Sequence, residues 1–193
     1  MGVNITTWVL RAVSGDCKSS MGHVVIEPST YNRVWRELER DENMVIVGWY
    51  HSHPNMGIFL SGTDVRNMKL FHYKPYQIAI VIDPIRNDIG VFGWQKGKLK
   101  CLGVLRWQKG KLKCLRENII DIIIFHGDYK QYFRGRYGDS FSWERKDIIL
   151  ERVCISKEAC DAIIKHAKQG ALNEIGGYLI GKPSIIGDER DGR

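Results

Sequence analysis

Residues 44–50, Met-Val-Ile-Val-Gly-Trp-Tyr, form an uninterrupted apolar run of strand length. A run without polar alternation reads as a strand covered on both faces, so the chain must build a sheet with something packed on each side of it. Around that strand the periodicities are mixed. Residues 3–10 and 22–26 read as short strands separated by a polar turn at Ser14-Gly15-Asp16. Tyr31, Val34, Trp35 and Leu38 stand at i, i+3, i+4 and i+7 behind Pro28 and Ser29, the spacing of a helix with one apolar face. A second helix starts near Ser61, with Val65 and Met68 on its apolar side. Strands at 77–83 and 89–94 flank the turn 84–88, and residues 118–125 add further β content. A Gly-, Tyr- and Arg-rich connector follows over 127–143. Then come a strand at 148–155, a helix capped by Ser156 with Cys160, Ile163, Ile164 and Ala167 on one face and Gly170 past its end, and a strand at 174–180. Strict βαβ alternation is missing, so the class is α+β or mixed α/β.

Composition narrows the setting. The chain has 193 residues, 44% apolar and 26% charged, which suits one globular domain rather than a disordered or fibrous chain. The longest apolar segment late in the chain, 119–125, is broken by Asp121 and is far short of a membrane span. The amino terminus lacks the pattern of a secretory signal. Five cysteines, an odd number without a CxxC pair, suit a reducing compartment. These features give the expectation of a soluble cytoplasmic protein with no membrane partner.

The net charge of +7 is confined to one segment. Between Trp94 and Arg116 there are eight basic residues and no acidic one, which leaves 21 basic against 22 acidic groups elsewhere. The same segment holds a duplication: Trp-Gln-Lys-Gly-Lys-Leu-Lys-Cys-Leu at 94–102 recurs thirteen positions later at 107–115. Each copy reads as a strand, a Lys-Gly turn and a strand at a sheet edge. Because either copy fits the same slot, register is weakly specified there, which opens a route to a homodimer by exchange of strands between two chains. Lysines on such an edge discourage aggregation. A basic patch interleaved with aromatics that contacts nucleic acid is the disfavoured alternative.

Two histidines separated by one residue at a strand end point to the same side. His51 and His53 can therefore grip one ion, and Asp64, eleven residues beyond His53, can return as a third ligand. Two imidazoles and a carboxylate are the ligand set of a catalytic zinc site, in which a fourth position is kept for water. The plainer reading is a pair of histidines near a turn, with residues 61–64 forming a helix-start cap.

Gly48-Trp49-Tyr50-His51-Ser52-His53-Pro54 followed by Ser61-Gly62-Thr63-Asp64 closely resembles the signature H-[ST]-H-P-x6-S-x-x-D of the JAMM (MPN+) metallopeptidases. The continuation through Val81-Ile82-Asp83-Pro84 to Phe92-Gly93-Trp94 is similar to the prokaryotic branch of that family. The resemblance implies a JAMM/MPN-like (cytidine-deaminase-like) α+β fold, a central mixed β-sheet flanked by helices. It implies Zn2+ held by His51, His53 and Asp64, with Ser61 as oxyanion donor. The implied activity is zinc-dependent hydrolysis of peptide or isopeptide bonds at the carboxy terminus of ubiquitin-like or sulfur-carrier-like proteins, that is, deubiquitinase-like chemistry. An inactive MPN scaffold is the alternative within the family, and a basic nucleic-acid-binding module the alternative outside it.

The family places its general acid and base, a glutamate, ahead of the HxH motif, in a strand reading roughly E-x-x-G-x-L-x-G. Here the matching stretch is Glu174-Ile175-Gly176-Gly177-Tyr178-Leu179-Ile180-Gly181, behind the motif rather than before it. Joining residue 193 to residue 1 would put Glu174 about 70 residues ahead of His51. The order is therefore that of a circular permutation. The expected organisation is one domain over 1–193: a core at 1–115, a connector at 116–147, a permuted strand-helix-strand at 148–181 and a polar tail at 182–193. A truncated tandem pair, with Glu174 completing the site of a neighbouring chain, is the rival arrangement.

Overall fold

The computed structural model describes residues 2–20, 22–41, 43–109, 111–115, 117–132, 142–144 and 147–186. The strands are β1 (Val3–Ser14), β2 (Cys17–Ser20), β3 (His23–Ile26), β4 (Val45–Ser52), β5 (Ile78–Asp83), β6 (Asp88–Gln95), β7 (Lys98–Gln108), β8 (Lys111–Cys114), β9 (Asp121–Phe125), β10 (Ile148–Ser156) and β11 (Gly176–Ile185). Three helices, α1 (Thr30–Glu39), α2 (Gly62–Phe71) and α3 (Lys157–Gln169), and one 3-10 turn at Tyr129–Gln131 complete the described elements. Nine strands form one mixed sheet in the order β8-β7-β6-β5-β4-β11-β1-β10-β9, while β2 and β3 make a separate hairpin. The pairs β1–β10, β4–β5 and β9–β10 are parallel and the other ladders antiparallel. The fold is thus the expected α+β sheet with helices on both faces.

Each helix forms for a reason visible in its residues. In α2, Ser61 and Asp64 exchange bonds as a capping box, Ser61 Oγ accepting from Asp64 N and Asp64 Oδ2 accepting from Ser61 N at 2.7 Å. Ser156 caps α3 by accepting from Ala159 N, and Cys160, Ile163 and Ala167 bury its apolar stripe against the sheet. That stripe meets Tyr50 and Leu179 in the larger core cluster, whereas α2 and α1 lie on the opposite face over Trp49, Phe92, Ile180 and Met44. A buried Ile such as Ile163 contributes about 2 kcal/mol by transfer alone.

Several expectations change on contact with the fold. Strand β1 runs on to Ser14, and β2 occupies residues read as part of a turn region. On α1 only Val34 of the proposed stripe is fully buried; Trp35 is 61% exposed and Tyr31 45% exposed. The helix meets the sheet on a narrower seam than its spacing promised. Gly170 ends α3 in the right-handed region and Ala171 adopts the left-handed one at φ 52, so the glycine is required by its close approach to Ile175 instead of by a left-handed turn. The polar tail expected from residue 182 is instead interior strand: β11 continues to Ile185, with Lys182 and Ser184 buried. Tyr129 and Asp41 hold the Lys182 ammonium at 2.9 and 3.2 Å, which explains how a lysine sits there. Residues 133–141 of the connector and the last residues, 187–193, lie outside the described residues.

Candidate metal centre

Strand β4 ends at Ser52, and the period of two aims His51 and His53 to one side. Their Nε2 atoms are 3.1 Å apart. Asp64, delivered by the first turn of α2, brings Oδ2 to 3.4 Å from His51 Nε2 and 3.8 Å from His53 Nε2. The three prospective ligand atoms all lie within 4.8 Å of one another, and all three residues are buried. Glu174 approaches from the residues preceding β11, its Oε1 3.8 Å from His53 Nε2. Ser61 enters as the capping partner of Asp64. A single chain therefore brings together His51, His53, Asp64 and Glu174, with Ser61 beside them.

Ser52, on the other side of the strand from the histidines, accounts for the reach of Glu174. Its backbone N–H donates to Ile175 O at 2.9 Å, and its Oγ accepts from Ile175 N at 3.0 Å. This double bond pair fixes the residue next to Glu174 against the residue between the two histidines. Gly176 then pairs with His51 and Gly177 with Tyr50. A Cβ on Gly177 would come within 2.3 Å of Val13 O and 2.6 Å of the Tyr50 ring, so only glycine allows β11 to lie this close.

Three supporting groups have a role that the motif does not assign. Trp49 stacks on His51 with ring centres 4.4 Å apart and planes 10° apart, and donates Nε1–H to Met68 Sδ. Phe59 packs against His53 at 4.5 Å. The Nδ1 of His51 is buried without a hydrogen-bond partner among the described residues, and the Gly57 backbone lies against His53, so aromatic packing contributes to the orientation of both rings. Asp83 is the third. Its carboxylate accepts from the backbone N–H groups of Asn55, Gly57, Ile85 and Arg86, locking the loop that follows His53 to the β5–β6 turn. An aspartate directly before a proline turn is the one sequence trace of that role.

The electrostatics suit a cation. Burial, and then the neighbouring His51, lower the His53 pKa to about 4, which keeps this imidazole in its ligating neutral form. Burial works to raise the Asp64 pKa, but the bond and charge of His51 and the bonds from Ser61 outweigh it and bring the value to about 2. Glu174 moves the other way, to about 7, through burial and then the Asp64 charge. The two imidazole Nε2 atoms face each other with the Asp64 carboxylate opposite. A divalent cation accepting all three fits this donor set.

A family model described as JAB1/Mov34/MPN/PAD-1 ubiquitin protease matches residues 14–75, the stretch holding His51, His53, Ser61 and Asp64. Over that stretch the chain is similar to the JAMM/MPN family. Among its curated relatives is COP9 signalosome complex subunit 5 of Debaryomyces hansenii, 48% identical over 54 residues, or 28% of this chain and 11% of that protein. COP9 signalosome complex subunit 5b of Arabidopsis thaliana is 41% identical over 76 residues, 35% of this chain and 20% of the relative. The 26S proteasome regulatory subunit rpn11 of Schizosaccharomyces pombe is 43% identical over 44 residues, 22% of this chain and 14% of the relative. The matches thus span between about a tenth and a fifth of the length of these relatives. Glu174 lies outside the matched family segment. Among the described residues no helix is long and apolar enough to cross a membrane.

Proposed function

We propose that the chain is a zinc-dependent peptidase or isopeptidase that hydrolyses bonds at the carboxy terminus of ubiquitin-like or sulfur-carrier-like proteins. In this reading His51, His53 and Asp64 are the ligands, Glu174 the general base and acid, and Ser61 the oxyanion donor. The observation that carries it is the approach of Glu174 Oε1 to 3.8 Å from His53 Nε2, across a cluster that already has three ligand atoms converging. Zn2+ bound there would supply Lewis acidity, polarising a carbonyl and acidifying water.

The chain's own residues do the rest. Glu174, with a pKa of about 7, can both take a proton from water and return it to the departing amine near neutral pH. Ser61 retains its hydroxyl hydrogen while its oxygen caps α2, so it can donate to a developing oxyanion without giving up the helix. Trp49 and Phe59 hold the imidazoles, and Asp83 holds the loop behind them.

The rotated order of elements is part of the proposal. Strand β11 lies between β4 and β1, and Ile186 N donates to Asn4 O, so the strand that carries the glutamate motif runs alongside β1. Such proximity is the arrangement that makes a permuted chain equivalent to an unpermuted one. It favours a single domain in which Glu174 acts within its own chain.

The test combines metal analysis with cleavage of a lysine-linked ubiquitin-like fusion by the wild type and by Glu174→Gln. The variant is expected to keep stoichiometric zinc and lose at least about 100-fold in kcat. Full activity in the variant would remove Glu174 from the mechanism. Wild-type protein without stoichiometric metal after zinc exposure would leave an inactive MPN scaffold as the reading.

A further inference from the structure

We infer that the second copy of the duplicated hairpin, Lys109 with Lys111 and Lys113, is a docking edge for an acidic, extended segment of the protein substrate. The inference rests on the hydrolytic reading above.

Position supports it first. Strand β7 holds the first turn at one end and the second at the other, 11 residues apart along the strand, roughly 33 Å. The row His51, Val81, Gly90 and Val104 runs across β4, β5, β6 and β7 at the metal-centre end of the sheet. Lys113 pairs with Arg106 and Lys111 with Gln108 just beyond that row. The second turn therefore lies at the site's end, with β8 four strand spacings, roughly 19 Å, to the side of β4. The first turn lies at the far end.

The faces differ as well. Arg106 is opposite Asp88, which shares a face with Gly90 and Phe92, and Phe92 packs with Trp49 and Met68 on the site side. Lys111 and Lys113 fall on this face. Lys98 and Lys100 pair with Gln95 and Gly93 and so fall on the α3 face. Only one of two identical lysine sets shares both the end and the face of the metal centre.

Charge and backbone then specify the partner. Arg106 is neutralised by Asp88 at 2.7 Å, and Arg86 has Asp83 at 3.5 Å. Lys109, Lys111 and Lys113 are exposed and have no ion pair among the described residues, so they carry the unspent charge. Strand β8 ends the sheet, and no described strand pairs with its outer edge. Its backbone can accept one more strand, and the lysines restrict that strand to an acidic one. Nucleic acid fits less well: the aromatic of this copy, Trp107, is half-buried on the α3 face beneath Lys157 and offers no stacking platform.

Binding of fluorescein-labelled deca-glutamate and of a short DNA duplex to the full chain, followed by anisotropy at low salt, tests this. The triple variant K109E/K111E/K113E is expected to weaken deca-glutamate binding about tenfold, the size three exposed ion pairs deliver. The matched variant K96E/K98E/K100E is expected to change it less than about twofold. In the zinc-loaded protein, the first variant should raise KM about tenfold for a ubiquitin-like fusion with a glutamate-rich segment, with kcat and the untagged fusion unaffected. A triple Lys→Gln variant at the same positions serves if charge reversal impairs folding. Equal losses in both copies, no binding of deca-glutamate, or tighter binding of the duplex than of the peptide would overturn the inference. If no fusion is cleaved, the hydrolytic reading fails while the binding arm still decides whether the edge selects acidic chains.

Discussion

The two copies of Trp-Gln-Lys-Gly-Lys-Leu-Lys-Cys-Leu are the same nine residues in two environments. Both fold into the same hairpin: Trp94 pairs with Leu99 and Gln95 with Lys98, just as Trp107 pairs with Leu112 and Gln108 with Lys111. The first turn residues agree too, Lys96 at φ 50 and Lys109 at φ 48, and Gly97 at φ 73 completes the first turn as a left-handed two-residue turn. Everything outside the hairpin differs. Trp94 joins the cluster around Trp49 and Phe92, and its Nε1 donates to His72 O at 2.7 Å. Trp107 faces α3, with Lys157 Nζ 5.2 Å above its ring. Leu102 is fully buried beneath the sheet, whereas its twin Leu115 is 45% exposed. Strand pairing is thus a property of the nine residues, but burial belongs to the neighbours, because the first copy lies within the sheet and the second at its margin.

That contrast predicts unequal responses to equal substitutions. Leu102→Ala is expected to cost about 2–5 kcal/mol in denaturant unfolding and Leu115→Ala less than about 0.5 kcal/mol; equal costs would mean the second copy also packs in a core. A smaller gap is expected for tryptophan. Trp94→Phe removes the donor to His72 O and should lose about 1 kcal/mol more than Trp107→Phe, as measured by the same unfolding curves. The finest distinction concerns reactivity without a stability change. Maleimide should label exposed Cys114 about tenfold faster than half-buried Cys101, read by mass spectrometry of digested protein; matching rates would show that the first copy leaves the sheet.

The same division between local and tertiary causes governs what the sequence made legible. Helices α2 and α3 were readable because Ser61, Asp64 and Ser156 are caps and their apolar residues recur at helical spacing. The histidine pair was readable from strand parity alone. The length of β11 was hidden, since Lys182 looks like a surface residue until Asp41 and Tyr129 surround it. The outward turn of Trp35 was hidden for the opposite reason, a helix whose partner surface is narrower than its own apolar face. At the site, Glu174 could be found only through family resemblance, because no periodicity links it to residues more than a hundred positions away. Ser52, Trp49 and Asp83 show their supporting roles only when strands from both halves of the chain lie side by side.

Threading β11 between β1 and β4 has a consequence for biogenesis. Both flanking strands leave the ribosome long before the one that separates them, so a nascent chain can display its imidazoles and Asp64 while the slot beside them stays empty. Insertion of that late strand, a contact of high sequence separation and hence slow to form, is then the event that delivers the carboxylate of Glu174. On the proposed mechanism a partly synthesised molecule is inert, and hydrolytic competence arrives together with completion of the sheet.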